Sequence, residues 1–328
     1  MRIIIDTCGG DNPEQIIKGI AESLQTIDNI SIVAVGDKDK INSILENEIF
    51  DRERLEIIHT TEEITNDDSP VNAIRVKNDS SLVVANKLLK ENDDIVGLVS
   101  AGSTGAVITG ACLLLGRIKG VERPTLLTLL PTITGKNVCI VDCGANVDVR
   151  ASQLMQFAIL GNAFMKSAFN IESPKIGLMS VGTEDKKGNV LTKETFELLK
   201  ESNLNFIGNM EGKTLLSGEV DVVVCDGFVG NVILKAVESA TSSAIKIFIE
   251  YLKKNANENT DFSFVKKSVM EFMSDYDFNK SGCAIIIGAK KPIMKVHGSS
   301  TSGAVVYACN QLKNMANGGL IDKINEGI

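Results

Sequence analysis

The feature that most constrains the fold is a repeated unit: a short apolar run ends in small, polar residues, and a helix-like segment follows. Examples of the runs are "RIIID", "SIVAVGD", "DIVGLVSAG", "PTLLTLLPT", "NVCIVDCGAN", "KIGLMSVGT", "LNFIGN" and "VDVVVCDG". They are too short for helices, rich in Val, Ile and Leu, and lack clean polar alternation, so both faces of each predicted strand should be covered. Strands that alternate with helices predict an α/β fold, a mostly parallel sheet with helices on both faces.

The domain organisation predicted from the sequence is a single α/β unit over residues 1–328, because no internal repeat and no Pro/Gly/Ser-rich linker divides the chain. A helical excursion is expected near residues 232–278, where apolar residues recur at helical spacing. We expect these helices to pack on the sheet or at a subunit interface. The alternative is a helical hairpin whose tip, with Phe262 and Phe264, touches a membrane.

Composition excludes several classes of function. The net charge is −8 and the sequence pI is about 5.1, so the basic footprint of a nucleic-acid-binding protein is missing. The most apolar stretch, Ala106–Gly116, is far shorter than the roughly 20 residues that span a bilayer. The chain has seven cysteines without a CxxC pair, which predicts reduced thiols and a cytoplasmic protein. Cys139 and Cys143 are expected to pack in the core.

Six glycine-containing segments follow the predicted strands. They are Asp6–Asn12, Ser100–Ala106, Asp142–Asp148, Ser180–Asn189, Cys225–Asn231 and Val296–Ser300. Ligands of parallel sheets bind at the carboxyl ends of the strands, so we expect these loops to gather around one site at that edge. Glycine lets backbone N–H groups approach a ligand, and helix N-termini add free donors. The loops together therefore predict a site for phosphate or an oxyanion.

Three polar residues of these loops have two interpretations each. Asp226 either caps the following helix or takes part in the site. Asn231 either caps locally or directs an uncharged amide at developing negative charge. His297 either donates a hydrogen bond in the site or braces its own loop.

Other familiar motifs are incomplete. Gly208–Thr214 resembles a P-loop, but Ile207 stands where the pattern needs its first glycine. No GxGxxG occurs at a strand-to-helix turn. His59 is interpreted as structural, and neither HExxH nor GxSxG is present, so neither a zinc enzyme nor a Ser-His-Asp triad is predicted.

Basic residues cluster at three places. Lys186 and Lys187 lie in a glycine-bounded acidic loop, which is either a solvated turn or a device that holds a lysine over the site. The other clusters are Arg117, Lys119 and Arg123, and Lys290, Lys291 and Lys295. Each is either a solvated face or a docking patch for an acidic partner.

The order of these motifs resembles that of the bacterial phosphate acyltransferases. "DTCGGD", "SAGSTGA", "GRIKGVERP", "DCGANVD", "GTEDKKGN", "CDGFVGN" and "HGSS" occur in the family's order from Arg2 to about Ser300. The resemblance implies a fold similar to phosphate acetyltransferases and isopropylmalate dehydrogenases. It also implies transfer of a fatty acyl group from acyl carrier protein to inorganic phosphate, giving acyl phosphate for phospholipid synthesis. Such a protein is expected to be cytosolic, homodimeric and loosely associated with membranes, without a cofactor or metal.

The resemblance assigns catalytic roles to Lys187 and Asn231. The residues predicted to bind phosphate or substrate are Gly102, Ser103, Thr104, Gly105, Gly144, Asn146, Asp226, Gly230 and His297. The chain departs from the family pattern at Thr7-Cys8, at Ser103, where asparagine is usual, and at 281–283.

The chemistry of this reaction suits a chain with two histidines. Phosphate is itself the nucleophile, and a thiolate leaves easily, so neither an activated serine nor a strong general acid is required. The site has to orient two reactants and stabilise a tetrahedral oxyanion. Two rival hypotheses are a decarboxylating dehydrogenase with NAD and a metal-binding carboxylate cluster, and a non-catalytic regulator that binds acyl phosphate or lipid.

Overall fold

The computed structural model describes residues 1–255, 263–275 and 283–328. The strands are β1 (Arg2–Asp6), β2 (Ser31–Gly36), β3 (Leu55–His59), β4 (Ile95–Ser100), β5 (Thr125–Pro131), β6 (Asn137–Val141), β7 (Ile176–Met179), β8 (Phe206–Met210), β9 (Val222–Val224), β10 (Ala284–Ile287) and β11 (Ile293–Lys295). The helices are α1 (Pro13–Thr26), α2 (Lys38–Leu45), α3 (Pro70–Val76), α4 (Ser81–Glu91), α5 (Thr104–Gly110), α6 (Ala151–Phe169), α7 (Val190–Glu201), α8 (Gly227–Lys254), α9 (Ser263–Asp275), α10 (Ser302–Asn317) and α11 (Leu320–Gly327). A π-helical turn, Ala111–Leu115, continues α5, and Arg52–Arg54 and Gly212–Thr214 are 3₁₀ turns.

These strands form an 11-stranded sheet of order β3-β2-β1-β4-β11-β10-β5-β6-β9-β7-β8. Most neighbouring strands are parallel, which confirms the predicted sheet. The antiparallel pairings lie at its centre, between β11 and β10, β10 and β5, and β5 and β6. Three reversals in succession leave the β3–β11 half and the β6–β8 half running in opposite directions.

This reversal changes where the glycine loops lie. The carboxyl ends of β1, β4 and β11 point to one edge of the sheet, and those of β6, β7 and β9 point to the opposite edge. The expectation that all six loops meet at one edge is therefore wrong. The central strands β10 and β5 lie between the two halves of the sheet.

Helices cover both faces of the sheet, as predicted. Ile3 and Ile5 of β1 pack in a core with α1, α6 and α10, whereas Ile4 packs in a second core with α4 and α5. Alternate side chains of a strand point to opposite faces of the sheet. Because helices cover both faces, both groups are buried. The start of α8 joins the second core through Leu234. The second face therefore carries the loops that precede α5 and α8.

The predicted helical excursion corresponds to α8 and α9, and α8 begins earlier than expected, at Gly227. Its buried residues are confined to its start, at Gly227, Gly230 and Leu234. The predicted packing on the sheet therefore holds only for this first part of α8. Phe262 lies outside the described residues, and Phe264 is 75% exposed. In the described ranges, no helix combines the length and the apolar character that crossing a bilayer requires.

The P-loop-like segment does not form a nucleotide cradle. After β8 the chain makes the short 3₁₀ turn Gly212–Thr214, whereas a P-loop leads into a helix that faces the phosphates. The Lys213 ammonium pairs with Glu211 at 2.5 Å in an exposed position. This agrees with the interpretation of the motif as incomplete.

Candidate functional site

A cavity of about 350 Å³, which we call the central groove, lies over β5 and β10 on the second face of the sheet. Leu126, Thr128 and Leu130 of β5 form part of its lining. The first half of the sheet contributes Thr104, Lys295 and His297, and the second half contributes Gly144, Phe228 and Asn231. The groove therefore joins loops from opposite edges of the sheet. It brings four predicted site residues together: Thr104, Gly144, Asn231 and His297.

Asn231 is positioned by the start of α8. The Asp226 carboxylate accepts a hydrogen bond from the Val229 N–H at 2.8 Å, so Asp226 is the N-cap of the helix. Capping is thus confirmed for Asp226, while a role in substrate binding stays a prediction. Gly230 and Gly227 lie against the turn after β6, where the Gly227 N–H donates to the Asn146 carbonyl at 2.8 Å. This contact sets Asn231 beside Gly144 in the groove.

The turn after β6 is organised by the buried carboxylate of Asp142. Its oxygens accept hydrogen bonds from the backbone N–H groups of Leu126, Ala145 and Asn146 at 2.6–3.1 Å. Burial raises the pKa of the Asp142 carboxyl, and these hydrogen bonds act against that rise. Gly144 has φ +120°, which favours glycine. Asp142 is therefore a positioning residue that sequence reasoning missed.

Asn146 faces the protein interior. Its Nδ2 donates to the Asp142 carboxylate and to the Pro124 carbonyl, both at 2.9 Å. Both N–H bonds of the amide therefore have partners within the chain. Direct phosphate binding by Asn146 stays a prediction, and its observed contacts support the turn that carries Gly144.

The loop after β4 is held by a second buried carboxylate, that of Asp6. The Ser81 and Ser100 hydroxyls donate to it at 2.6 and 2.7 Å. The Gly102 N–H donates to Ser100 Oγ, and Ser103 Oγ accepts from the Ala106 N–H as the N-cap of α5. Serine at 103 therefore retains a capping function.

The predicted phosphate residues of this loop do not all face the same space. Thr104 lines the central groove. Gly102 and Ser103 line a separate, much smaller cavity beside Asp6. Gly105 packs against Pro70, whose Cγ would lie 2.9 Å from a Cβ at position 105. Phosphate binding by Gly102, Ser103 and Gly105 stays a prediction.

Lys295 is the functional candidate that sequence reasoning misjudged. It ends β11, is only 8% exposed and lines the central groove, so it is not part of a solvated face. Its Nζ donates to the Ala101 carbonyl at 3.4 Å and to the Val296 carbonyl. Burial lowers the pKa of the Lys295 ammonium to about 8.

His297 both braces its loop and lines the groove. Its Nδ1 lies 2.8 Å from Ser299 Oγ and accepts the Ser299 N–H at 3.3 Å. The predicted bracing is therefore confirmed. With Nδ1 engaged by this N–H, Nε2 is the ring nitrogen left to donate a hydrogen bond.

Lys187 lies in the loop after β7. Because β7 and β9 are parallel neighbours, this loop and the start of α8 lie at the same edge of the sheet. Lys187 is exposed, and its backbone N–H donates to the Glu184 carbonyl at 3.0 Å. The described side chains that line the central groove do not include Lys187. Its catalytic role stays a prediction.

Five buried cysteines and His59 have structural environments. All seven cysteines are free, and Cys139 and Cys143 are buried in the core as predicted. The Lys38 N–H donates to His59 Nδ1 at 3.1 Å. Within the described ranges, no cluster of three or more His, Cys, Asp or Glu side chains could hold a metal ion.

Comparison with known proteins establishes the family. The family described as "Fatty acid synthesis protein" matches residues 1–323. A phosphate acyltransferase of Thermoanaerobacterium thermosaccharolyticum is 41% identical over 100% of this chain and 97% of its own length. The Bacillus subtilis phosphate acyltransferase is 39% identical over 100% of this chain and 98% of its own length. The chain belongs to the phosphate acyltransferase family. As a member of that family it is an acyltransferase.

Solved structures show that the fold of this phosphate acyltransferase family member extends to more distant proteins. A phosphotransacetylase from Streptococcus pyogenes superposes with a TM-score of 0.65 at 16% identity, covering 98% of this chain and 94% of its own. The EutD phosphotransacetylase from Staphylococcus aureus gives a TM-score of 0.61 at 15% identity, over 97% of this chain and 94% of its own. These likenesses confirm the predicted fold class.

Proposed function

We propose that the chain transfers a fatty acyl group from acyl carrier protein to inorganic phosphate and so makes acyl phosphate for phospholipid synthesis. Family membership over the full chain supports this reaction. The observation that carries the proposal is the central groove, which brings Thr104, Gly144, Asn231 and His297 together between the two halves of the sheet. A groove between the two halves of the sheet can hold two reactants side by side.

In this reaction, a phosphate oxygen attacks the thioester carbonyl carbon and a C–O bond forms. The carbonyl oxygen becomes a tetrahedral oxyanion, which then collapses as the C–S bond breaks. The thiolate of the carrier's prosthetic group leaves with the electron pair. Orientation of the two reactants supplies roughly 7–11 kcal/mol of the lowering of the barrier, and one donor to the oxyanion supplies about 3–4 kcal/mol.

The roles of the groove residues follow from their donors. Asn231 presents an uncharged amide, whose N–H bonds stabilise the oxyanion without attracting the phosphate away from the carbonyl carbon. His297 offers Nε2–H at the same groove. Lys187 does not line the groove but lies in the loop after β7, at the same edge of the sheet as Asn231, and we expect its ammonium to pair with phosphate or with the departing sulfur.

The experiment that tests this function follows release of free thiol from acyl carrier protein at saturating phosphate. We expect release to require phosphate, and we expect Lys187→Ala to lower kcat by about 10²-fold, since a charge-assisted contact is worth roughly 1.5–3 kcal/mol. Lys186→Ala is the matched control, because Lys186 is the adjacent exposed lysine. Thiol release that is independent of phosphate would remove the proposal, and equal kcat values in the two variants would remove Lys187 from it.

A basic surface on the connection between α5 and β5 supports docking of an acidic carrier protein. The Arg117 and Lys290 segments meet, since an isolated β-bridge joins Arg117 to Ala289. Lys119 and Arg123 are exposed on the same connection between α5 and β5. Lys291 is not part of this docking patch, because its Nζ donates to the Asn92 carbonyl at 2.6 Å.

The docking patch predicts a substrate-dependent effect of charge. The double variant Lys119→Glu, Arg123→Glu should raise the KM for acyl carrier protein about tenfold at low salt, because charges at an interface steer association. The KM for a small acyl thioester should stay within about twofold. The double variant Lys87→Glu, Lys90→Glu, at two exposed positions of α4, changes the net charge by the same amount and is the matched control. Equal changes for both acyl donors would count against the patch.

The exposed apolar side chains of α8 and α9 support the further proposal of a homodimer. Ile247, Phe248 and Tyr251 are 70%, 55% and 64% exposed. Apolar surface of this kind on a soluble fold marks an interaction site. A second copy of the chain would cover it. Cytoplasmic location and a peripheral membrane contact stay predictions from the family resemblance.

A further inference from the structure

Lys295 is a buried cation without a counter-ion among the described residues. Both hydrogen bonds of its Nζ go to backbone carbonyls, those of Ala101 and Val296, and it forms no ion pair. Lys235, the other lysine that lines the central groove, pairs with Glu238 at 2.8 Å. Lys295 is therefore the lysine of the described lining whose charge the protein itself leaves unpaired.

The charged and titratable groups that face Lys295 come from several elements. Asp6 at the end of β1 and Asp11 in the following loop act on it only at a distance. The Asp6 carboxylate is already committed to the Ser81 and Ser100 hydroxyls. Cys283 lies close to Lys295, and burial raises the pKa of its thiol to about 12. His297 follows Lys295 by two residues. None of these groups supplies an adjacent negative charge at neutral pH.

An unpaired charge in a buried position is costly, because water no longer solvates it. The cost is recovered when an anion enters and pairs with the charge in a place of low dielectric constant. The geometry of the groove offers that place, since buried Lys295 lines it together with Thr104, His297 and residues of β5. The ligand expected there is a small oxyanion.

We propose that Lys295 binds the attacking inorganic phosphate, and that phosphate therefore occupies the β4–β11 end of the central groove. This inference rests on the proposed function, in which phosphate is the acyl acceptor. The acyl thioester then lies at the α8 end, where Asn231 meets its carbonyl oxygen. Phosphate attacks along the groove from one half of the sheet to the other. The phosphate group of the acyl phosphate that forms stays paired with the Lys295 ammonium while the thiolate departs.

The first test measures thermal stabilisation by inorganic phosphate alone, without an acyl donor. We expect phosphate to raise the Tm of the wild type. Lys295→Met should abolish this rise and, without phosphate at pH 7, should have a Tm above that of the wild type, because it removes an unpaired buried charge. Lys291→Met is the matched control: Lys291 is a half-buried lysine four residues away that does not line the groove, and its variant should keep the wild-type response. A normal phosphate response in Lys295→Met would overturn the proposal.

The second test uses steady-state kinetics to distinguish an effect on phosphate binding from an effect on binding of acyl carrier protein. Lys295→Met should raise the KM for phosphate about 10- to 100-fold, as expected for loss of a hydrogen bond to a charged group, with little change in the KM for acyl carrier protein. The opposite pattern would overturn the proposal. Absence of phosphate-dependent thiol release in the wild type would instead remove the proposed function, whereas phosphate binding would still report on Lys295.

The pH dependence of phosphate binding gives a readout that needs no variant. Lys295 must be protonated to pair with phosphate, and burial lowers its pKa to about 8. The affinity of the wild type for phosphate should therefore fall about tenfold per pH unit above that pH, while phosphate itself remains a dianion. An affinity that stays constant to pH 10 would contradict the assignment.

Discussion

Replacement of Asn231 by alanine is expected to lower kcat by about 10²- to 10³-fold, the usual cost of removing one donor to an oxyanion. The two KM values should change little, because the charge that Asn231 stabilises exists only after phosphate attacks. The fold should persist, since Asn231 is exposed in the first turns of α8 and alanine is a good helix former. Single-turnover release of thiol, measured beside steady-state kinetics, isolates this step.

Val232→Ala is the matched control, because Val232 follows Asn231 on the same helix, is 52% exposed and does not line the groove. It should retain wild-type kcat. Asn231→Asp tests the role of charge, since a carboxylate of the same volume repels both phosphate and the oxyanion. This variant should lose at least as much activity as Asn231→Ala. If Asn231→Ala retained kcat within about threefold, or raised the KM for phosphate alone, Asn231 would not be the oxyanion donor.

The layers of the fold could be predicted from sequence because buried strands and amphipathic helices leave separate patterns. The change of strand direction is missing from the predicted sheet, although a local signal for it is present in the sequence. It depends on the hairpin between β5 and β6, where Thr132 and Lys136 close a short loop and Gly135 has φ +76°. That loop has the glycine of a hairpin connection. Two apolar runs that join through so short a loop pair antiparallel, and this one connection turns the second half of the sheet around.

The residues of the candidate site likewise fall into those that the sequence suggests and those that it does not. Asn231 and His297 belong to glycine loops whose composition already suggests a ligand. Lys295 lies in "AKKPIMK", where three lysines together resemble a solvated surface. Its burial follows from its place on a central strand between β4 and β10, and strand order is a property of the whole chain. Asp6 and Asp142 likewise begin two of the glycine-containing segments, and the structure shows that their buried carboxylates hold these loops by hydrogen bonds.

Gly230→Ala is expected to have the largest effect on stability. A Cβ at this position would lie 1.9 Å from the Asp142 carbonyl oxygen and 2.9 Å from its carbon, and both atoms belong to backbone that cannot rotate away. The start of α8 would have to move away from the turn after β6. Overpacking of this kind costs typically 1–3 kcal/mol and occasionally more, and we expect the upper end because the obstacle is main chain. Thermal unfolding of the variant should show a Tm lower by several degrees.

The same substitution should also lower activity far more than stability alone explains. Asn231 is the next residue, so any shift of α8 that relieves the clash moves its amide relative to Gly144 and the oxyanion. A displacement of about 1 Å at a reacting centre costs on the order of 10² in rate. Activity measured well below the Tm of the variant separates this displacement from unfolding.

Gly303→Ala is the control that distinguishes loss of glycine from loss of space. Gly303 also lies in the first turn of a helix, α10, but the nearest atom to a Cβ there is Thr301 Oγ1 at 3.8 Å. Alanine should stabilise the protein at this position by about 0.4–1 kcal/mol, because it restricts the unfolded chain without strain in the folded one. Changes in the free energy of unfolding with opposite signs for Gly230→Ala and Gly303→Ala would show that close contact between α8 and the Asp142 turn sets the position of Asn231. A Gly230→Ala variant as stable and active as the wild type would mean that α8 is not held against that turn.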